Sequence, residues 1–240
     1  MHTKKSDCLI IIAAYNEQDN IEAVVHNLIE NYPGYDYLVV NDGSNDHTEK
    51  RCKQNGFNYC SLPQNLGIGG AIQTGYQYAR ENDYDIAIQL DGDGQHDPEY
   101  LDALVKPIRD GEADYVIGSR FIDKEGFQST GLRRTGIRIL SGMIYLFCHK
   151  KIADVTSGFR AVDRSYIKKF AMNYPTDYPE PEAIIDAALN GAVIKEIPVE
   201  MRERLSGSSS INLRRSIYYM IKVTLDIVVC RISYGVRRSK

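Results

Sequence analysis

Short apolar runs that end abruptly in polar residues recur along the first part of the chain. Continuous runs of this kind are typical of strands buried on both faces of a sheet. Between the runs, apolar residues recur every three or four positions, which predicts amphipathic helices. The predicted strands are Leu9–Ala14, Tyr37–Val40, Phe57–Ser61 and Ile86–Leu90.

A helix is predicted after each of the first three strands. The first begins beyond Glu17 and stops at Pro33-Gly34, the second is capped by Ser44 or Asn45 and reaches about Gln54, and the third covers Gly69–Arg80. Beyond Gly118, helices are predicted over Leu132–Phe147 and Glu182–Leu189, and strands over Gly158–Val162 and Val193–Val199. This alternation predicts an α/β fold with a mostly parallel central sheet flanked by helices and joined by right-handed crossovers.

Three polar clusters each begin where a predicted strand ends. They are Tyr15-Asn16-Glu17, Asn41-Asp42-Gly43-Ser44 and Asp91-Gly92-Asp93. In parallel α/β sheets, ligands bind at the carboxyl ends of the strands. We therefore expect the three clusters to line one edge of the sheet and to form a binding site.

Asp91 and Asp93 flank a glycine directly after an apolar strand. Two carboxylates at this spacing suit a hard divalent cation such as Mg²⁺ or Mn²⁺, which fills its other positions with water and substrate phosphate oxygens. A diphosphate ligand would complete such a site. The alternative interpretation is an acidic turn, since Asp and Gly are common turn residues.

Asp42 is a candidate for recognising a nucleobase, because a carboxylate can accept two hydrogen bonds from a base edge. Tyr15 is a candidate for stacking on that base. The alternative for Asp42 and its cluster is a turn with a helix cap. The alternative for Tyr15 is ordinary packing. The glycine-rich segment Asn65–Ala71 has Ile72 where a dinucleotide-binding loop requires glycine, so it predicts a turn that opens a helix, with backbone N–H groups near a nucleotide.

The net charge of −3 conceals an asymmetry along the chain. Residues 202–240 contain nine Lys or Arg and two acidic residues, so the preceding part is acidic. Within this basic part, apolar positions at helical spacing over 211–231 indicate an amphipathic helix. It suits an anionic membrane surface, or packing on the core or on a partner's helix. Nucleic-acid binding is not expected, because the cations lie on a largely apolar helix.

Five cysteines without CxxC spacing predict neither a disulfide framework nor a zinc site, and favour a reducing compartment. The apolar stretch Cys8–Ala14 is too short for a signal sequence, and no apolar segment reaches the roughly 18 residues of a membrane span. We expect a cytoplasmic protein at the inner face of the cell membrane, with one domain over 1–210 and a basic amphipathic helix over 211–240.

Further segments complete a pattern with the three clusters. They are Asn65-Leu66-Gly67 with Gly69-Gly70-Ala71, Gly94-Gln95-His96-Asp97-Pro98, Gly118-Ser119-Arg120-Phe121, Thr156-Ser157-Gly158-Phe159-Arg160, Glu196-Ile197-Pro198-Val199, and Arg204 ahead of Gly207. In this order the motifs resemble the inverting family 2 glycosyltransferases of GT-A fold, and among them the dolichyl- and polyprenyl-phosphate sugar synthases. The resemblance spans about Leu9 to Ile211.

The resemblance implies a role for each motif. The metal ligands would be Asp91, Asp93 and Gln95, and the acceptor phosphate would be held by Arg120 and Arg134. The nucleotide contacts would come from Ala14, Tyr15, Glu17, Asp42, Gly67, Gly70 and Arg204. The chain departs from the family where Ala13 or Ala14 replaces a proline, Asn41 an aspartate, and Ser209-Ser210 a Ser-Lys pair. The missing lysine shifts the pyrophosphate contact toward Arg204 and Arg202.

The implied reaction moves a sugar, with inversion, from a nucleotide diphosphate sugar to a polyprenyl phosphate such as undecaprenyl phosphate, for cell-surface polysaccharide synthesis. A UDP-sugar is the expected donor. A phosphate monoester has a second pKa of about 6, so it is largely ionised and needs little help from a base. A saccharide hydroxyl is the alternative acceptor and requires a base, for which Asp154 and Glu182 are candidates. A third interpretation is a catalytically silent nucleotide-sugar-binding module. The expected partner is the membrane surface, reached through the C-terminal helix, or a small membrane protein, and a second copy of the chain is a further candidate.

Overall fold

The structure, a computed structural model, describes residues 5–123, 131–176, 179–202, 222–225 and 229. Its strands are β1 (Cys8–Ala14), β2 (Asp36–Asn41), β3 (Tyr59–Ser61), β4 (Ile86–Asp91), β5 (Tyr115–Ser119), β6 (Arg160–Asp163) and β7 (Ile194–Pro198). Its helices are α1 (Ile21–Asn31), α2 (Thr48–Gln54), α3 (Gly67–Glu81), α4 (Leu101–Arg109), α5 (Gly131–Cys148), α6 (Arg164–Met172) and α7 (Pro179–Leu189), with a 3-10 turn at Pro98–Tyr100.

The strands form one seven-stranded sheet in the order β3-β2-β1-β4-β6-β5-β7. β1 pairs in parallel with β2 and β4, β2 with β3, and β5 with β7. Only β6 runs the other way, antiparallel to both β4 and β5. The predicted α/β fold with a mostly parallel sheet is therefore confirmed.

Apolar side chains cover both faces of the sheet. Successive Cβ atoms of a strand point to opposite faces, so Leu9 and Ile11 of β1 pack with residues of α3, α5, α6 and α7. Ile10 and Ile12 pack on the other face with residues of α1 and α4. Every residue of β1 is buried, which explains why this strand is continuously apolar in sequence.

The predicted cap of the second helix was wrong. α2 begins at Thr48, and the Ser44 hydroxyl instead accepts a hydrogen bond from the Asn16 N–H at 2.9 Å. Asn45 likewise donates its N–H to the Asn16 side-chain oxygen at 2.9 Å. The loop after β2 is therefore extended by contacts with the loop after β1, and this delays the helix.

The hydrophobic pattern predicted no element between Leu90 and Gly118, where the structure has the 3-10 turn, α4 and most of β5. α4 is short and contains Pro107, so its apolar periodicity is brief. In the described part of the chain, no helix has the length and apolarity that crossing a membrane requires.

The predicted helix over 211–240 lies outside the described residues except for 222–225 and 229, which are helical. Val223 is fully buried, and the Thr224 hydroxyl lies 3.6 Å from the sulfur of Met143 in α5. These residues therefore pack against α5, while Leu225 and Val229 are more than half exposed.

Candidate active site

The three polar clusters lie side by side at one edge of the sheet. β1 is the central strand of the three, with Ala14 in register with Asn41 of β2, and Ala13 in register with Asp91 of β4. The Asp42 N–H donates to the Ala14 carbonyl at 2.9 Å, and the Gly92 N–H donates to the Ala13 carbonyl at 3.0 Å. The expected convergence at the carboxyl ends of the strands is therefore present, and we call this the carboxyl edge.

Strand direction brings three more segments to the carboxyl edge. β5 and β7 are parallel to each other, and both β4 and β5 are antiparallel to β6. β4, β5 and β7 therefore all end at the carboxyl edge. β6 starts there, since Arg160 is in register with both Gln89 and Ile117. As a result Arg120, the loop 153–159 and the segment 199–202 all reach the site.

Tyr15 stands at the surface of the carboxyl edge, with 44% of its area exposed. The loop that carries it is tied to the loop after β2, because the Glu17 N–H donates to the Thr48 hydroxyl at 2.9 Å. The Glu17 carboxylate accepts a hydrogen bond from the Asn20 amide at 2.6 Å. An exposed aromatic ring on a fixed loop is suited to stacking on a base.

Asp42 joins the end of β2 to the start of α3. Its buried carboxylate accepts the Leu66 N–H at 2.7 Å, and its carbonyl accepts the Asn65 amide at 3.2 Å. Burial raises the pKa of this carboxyl above its ordinary value, although the N–H groups of Leu66 and Gly67 act in the opposite direction. A carboxylate has about four acceptor positions, so these bonds leave acceptor capacity for a base edge.

The glycines at the start of α3 allow close packing. Gly67 has φ +79°, in the left-handed region that glycine adopts at little cost. A Cβ on Gly70 would lie 2.5 Å from the Cβ of Leu66, and one on Gly69 would overlap the Pro175 carbonyl. Their contact with a nucleotide remains a prediction.

Residues 91–97 begin at the last residue of β4 and contain the three predicted metal ligands, so we call them the metal loop. Asp93 is buried, and its carboxylate accepts the Gln95 N–H at 3.0 Å, while the Asp91 side chain is 39% exposed. A Cβ on Gly92 would stand 3.0 Å from the Ala13 carbonyl, so a side chain there would press on β1. The loop is therefore fixed tightly against the sheet.

Within the described ranges, no three His, Cys, Asp or Glu side chains come together in a way that could hold a metal. The carboxylates that could hold a cation here are those of Asp91 and Asp93, while the Gln95 amide nitrogen donates to the Arg202 carbonyl at 3.3 Å. An oxygen-only donor set of one or two carboxylates fits Mg²⁺ or Mn²⁺, which complete their shells with water and phosphate oxygens. The residues therefore fit a cation that a diphosphate shares.

His96 lies buried behind the metal loop. Its Nδ1 accepts the Asp91 N–H at 3.1 Å, and its ring stacks on Phe159 with centroids 4.9 Å apart. Burial lowers the pKa of His96 to about 4, with Asp93 and Asp154 acting in the opposite direction and Arg120 and Arg160 reinforcing it. The ring is therefore neutral near pH 7.

The loop 153–159 touches the metal loop at Gly158. A Cβ on Gly158 would stand 3.4 Å from both Asp91 Oδ2 and His96 Cε1. This is ordinary van der Waals distance, so the backbone of Gly158 lies directly beside the Asp91 carboxylate and the His96 ring. The role of Gly158 and that of His96 were not predicted, although both lie within motifs that the sequence displays.

The segment 199–202 closes the other side of the metal loop. His96 and Met201 form an isolated antiparallel bridge, and the Arg202 N–H donates to the Gln95 carbonyl at 2.9 Å. The Arg202 guanidinium also forms an ion pair with the Asp97 carboxylate. Arg204, the predicted pyrophosphate contact, lies outside the described residues.

Arg120 and Asp154 form a buried ion pair. Arg120 Nε lies 2.6 Å from Asp154 Oδ2, and Arg120 Nη2 lies 2.7 Å from Asp154 Oδ1. The Thr156 hydroxyl accepts a further bond from Arg120 Nη2 at 2.9 Å. The Asp154 side chain is fully buried and that of Arg120 is 7% exposed, so the fork-like pairing takes place out of contact with water.

Arg120 and Arg134 flank the same aromatic ring. The guanidinium carbons of Arg120 and Arg134 lie 5.3 and 5.8 Å from the centroid of Phe121, within the range of a cation–π contact. The structure therefore brings together the two arginines that the resemblance assigns to an acceptor phosphate. Glu182, the second candidate base, is half-buried in the first turn of α7.

A groove of about 530 Å³ opens next to this arginine pair, between α5 and the segment 151–153. We call it the basic groove. Among the described residues it is lined by Phe121, Arg134, Ile137, Arg138, Ser141, Gly142, Tyr145, Lys151, Ile152, Ala153 and Glu196. Three of these are cations and several are apolar, so the groove combines positive charge with an apolar wall.

Comparison with known proteins gives a family for this arrangement. The model of "Glycosyl transferase family 2" matches residues 9–170. The chain is 34% identical to the UDP-N-acetylglucosamine–dolichyl-phosphate N-acetylglucosaminyltransferase of Methanococcus voltae over 80% of this chain and 84% of that protein. It is 28% identical to the polyprenol monophosphomannose synthase of Mycolicibacterium smegmatis, over 88% of this chain and 84% of that one.

Solved structures show the same fold. Glucosyl-3-phosphoglycerate synthase from Mycobacterium tuberculosis, in complex with Mn²⁺, UDP and phosphoglyceric acid, superimposes with a TM-score of 0.71 at 19% identity. The alignment covers 93% of this chain and 78% of that one. The chain belongs to glycosyl transferase family 2. It is a glycosyltransferase of GT-A type, as its motifs predicted.

Proposed function

We propose that this protein transfers a sugar from a nucleotide diphosphate sugar, a UDP-sugar by preference, to a polyprenyl phosphate, with inversion and with a divalent metal. The relatives named above act on dolichyl phosphate or make polyprenol monophosphomannose, and the fold neighbour binds Mn²⁺ and UDP. These names support the proposal.

The observation that carries the choice of acceptor is the pairing of Asp154 with Arg120. Both oxygens of Asp154 accept hydrogen bonds from the guanidinium, and the side chain is fully buried. A carboxylate in this state is poorly placed to remove a proton from a sugar hydroxyl, since a base must reach the proton it accepts. A phosphate acceptor needs no such base because it is already ionised near neutral pH.

The basic groove supports an acceptor that is both anionic and apolar. Arg134, Arg138 and Lys151 provide cations, and the structure shows none of the three in an ion pair within its described residues. Ile137 and Ile152 provide apolar surface in the same groove. In the proposed role, Arg134 holds the acceptor phosphate beside Arg120 and the apolar wall receives the first part of the lipid.

On the donor side, the proposal assigns the metal to Asp91 and Asp93, with Gln95 as a further contact. A bound divalent cation would stabilise the negative charge that develops on the departing diphosphate. Asp42 and Tyr15 would hold the nucleoside, and Ala14, Glu17, Gly67, Gly70 and Arg204 complete the proposed donor site. His96 is neutral near pH 7, so it would keep the Asp91 backbone in place without adding positive charge.

The basic segment after residue 202 is proposed to hold the enzyme at the inner face of the membrane, where a polyprenyl phosphate resides. Its cations suit an anionic lipid surface. The four described residues 222–225 of this segment pack on α5, the helix that forms one side of the basic groove, and this contact supports the proposal. A small membrane protein or a second copy of the chain as partner remains part of the same proposal.

The alternative acceptor is a saccharide hydroxyl. Glu182 supports it, because this residue is only half-buried in the first turn of α7. In that case Glu182→Gln abolishes transfer, whereas Arg134→Gln has little effect. The opposite pattern eliminates the alternative.

The test is incubation of the purified chain with labelled UDP-N-acetylglucosamine, UDP-glucose or GDP-mannose, Mg²⁺ or Mn²⁺, and undecaprenyl phosphate. We expect a labelled lipid in the organic phase with one donor. Arg134→Gln should reduce it at least tenfold, and Arg51→Gln, which alters an exposed ion pair with Glu22, should not. No labelled lipid from any donor refutes the proposal, and metal-dependent turnover excludes a silent binding module.

A further inference from the structure

Glu196 lies in the middle of β7, and its carboxylate is engaged by backbone rather than by cations. Glu196 Oε2 accepts the Ala153 N–H at 2.8 Å, and Oε1 accepts the Asp154 N–H at 2.9 Å. Each oxygen therefore holds one of two consecutive amides. Hydrogen bonds from an N–H to a carboxylate are among the stronger ones in proteins.

This contact continues directly to Arg120. The residue whose backbone Glu196 holds is Asp154, and the Asp154 carboxylate holds the guanidinium of Arg120 at 2.6 and 2.7 Å. The Arg120 N–H also donates to Asp154 Oδ2 at 3.2 Å. The chain of bonds therefore runs from the Glu196 carboxylate through the Asp154 backbone and side chain to Arg120.

The sheet gives this chain of bonds a rigid base. Glu196 is in register with Ile117, so it stands on the strand next to β5, which ends one residue before Arg120. The Val199 N–H donates to the Ser119 carbonyl at 3.1 Å and extends the pairing to the end of β5. Two paired strands thus hold both ends of the connection, and the loop 153–154 is fixed between them.

The Glu196 carboxylate lies in a groove that contains three cations. Glu196 lines the basic groove with Arg134, Arg138 and Lys151, yet both its oxygens accept backbone N–H groups. Among the described residues it forms no ion pair with these cations.

We propose that Glu196 is a positioning residue of the acceptor-phosphate site. It sets the position of Asp154 and thereby the orientation of the Arg120 guanidinium, without touching the acceptor itself. This inference rests on the proposed function for its kinetic test, but not for its structural test.

The test compares Glu196→Gln and Glu196→Ala with Lys195→Gln. Glutamine keeps the shape of the side chain but replaces one acceptor oxygen with an NH₂ group, whereas alanine removes both acceptors. Lys195 is the matched control, because it neighbours Glu196 on β7 and forms an exposed ion pair with Glu112 at 2.6 Å. We expect KM for undecaprenyl phosphate to rise about 10-fold in Glu196→Gln and further in Glu196→Ala. KM for the donor should stay within about twofold in both, and Lys195→Gln should change neither.

The structural readout is the Arg120 Nε–H signal in a ¹H–¹⁵N spectrum, assigned by its loss in Arg120→Lys. This proton is buried and hydrogen-bonded to Asp154. We expect the signal to shift or broaden in Glu196→Gln and to stay in place in Lys195→Gln. An unchanged signal in both Glu196 variants overturns the inference, as does an equal rise of donor and acceptor KM. If the wild-type chain makes no lipid product, the proposed function fails, and the spectrum still decides the role of Glu196.

Discussion

Replacing Asp154 by Asn should destabilise the protein strongly, because it leaves the Arg120 guanidinium buried opposite a neutral group. The two side chains are 0% and 7% exposed. Removing one partner of a buried pair typically costs about 3–5 kcal/mol. For a domain of this size each kcal/mol lowers Tm by about 2–4 °C, so we expect a loss of about 6–20 °C.

Thermal unfolding followed by circular dichroism measures this loss, and Asp85→Asn is the matched control. Asp85 forms the same type of ion pair with Arg164 at 2.7 Å, but its side chain is 55% exposed, so its loss should move Tm by no more than about 2 °C. A second check is the double variant Arg120→Gln with Asp154→Asn, which should lose less stability than the sum of the two single changes. An unchanged Tm in Asp154→Asn would refute the reasoning, because a buried guanidinium that loses its carboxylate partner must lower the stability of the folded state.

Three further predictions concern packing, alkaline pH and the metal. Gly69→Ala should destabilise the protein by about 1–3 kcal/mol, because it forces a methyl group onto a neighbouring carbonyl. Gly142 has open space around it in α5, so Gly142→Ala should stabilise the protein by up to about 1 kcal/mol. Thermal unfolding of the two variants and the wild type measures both effects. Burial raises the pKa of the Cys8 thiol from 9.0 to about 12 and that of the Cys52 thiol to about 11. Above pH 9 the two thiols ionise in the unfolded chain before they ionise in the folded protein, which favours unfolding. The stability that the neutral buried thiols provide is therefore complete below pH 9 and is lost as pH rises through the raised pKa values. Urea unfolding at pH 8 and pH 10.5 should show this fall, which replacement of both cysteines by alanine should reduce. Asp93→Ala should abolish the Mn²⁺-dependent rise in Tm that a bound nucleotide sugar produces, and a rise equal to that of wild type would contradict the metal assignment.

The first half of the fold could be predicted from the sequence because its signals are local. The strands β1, β2 and β4 are buried on both faces, so each is a continuous apolar run. Their carboxyl ends carry Asn41, Asp91 and the clusters that follow, and parallel pairing brings these together by a general rule of such sheets. The edge that carries the three polar clusters therefore followed from the strand pattern together with this rule.

The second half depends on contacts between residues distant in sequence. The reversed direction of β6 is set by its pairing with β4 and β5, and nothing in Arg160–Asp163 indicates it. The pairing of Arg120 with Asp154 spans 34 positions, so sequence motifs assigned the two residues separate roles, one with a phosphate and one as a base. Their shared burial is a property of the folded chain only.

The antiparallel bridge between His96 and Met201 has a consequence for how the enzyme can be shortened. A fragment cut after Pro198, the last residue of the sheet, would lose that bridge, the bond from the Arg202 N–H to the Gln95 carbonyl, and the ion pair with Asp97. All three fasten the loop that carries Asp93. A fragment in which this loop keeps its described contacts must therefore extend at least through Arg202, and an insertion between Pro198 and Arg202 should loosen the loop.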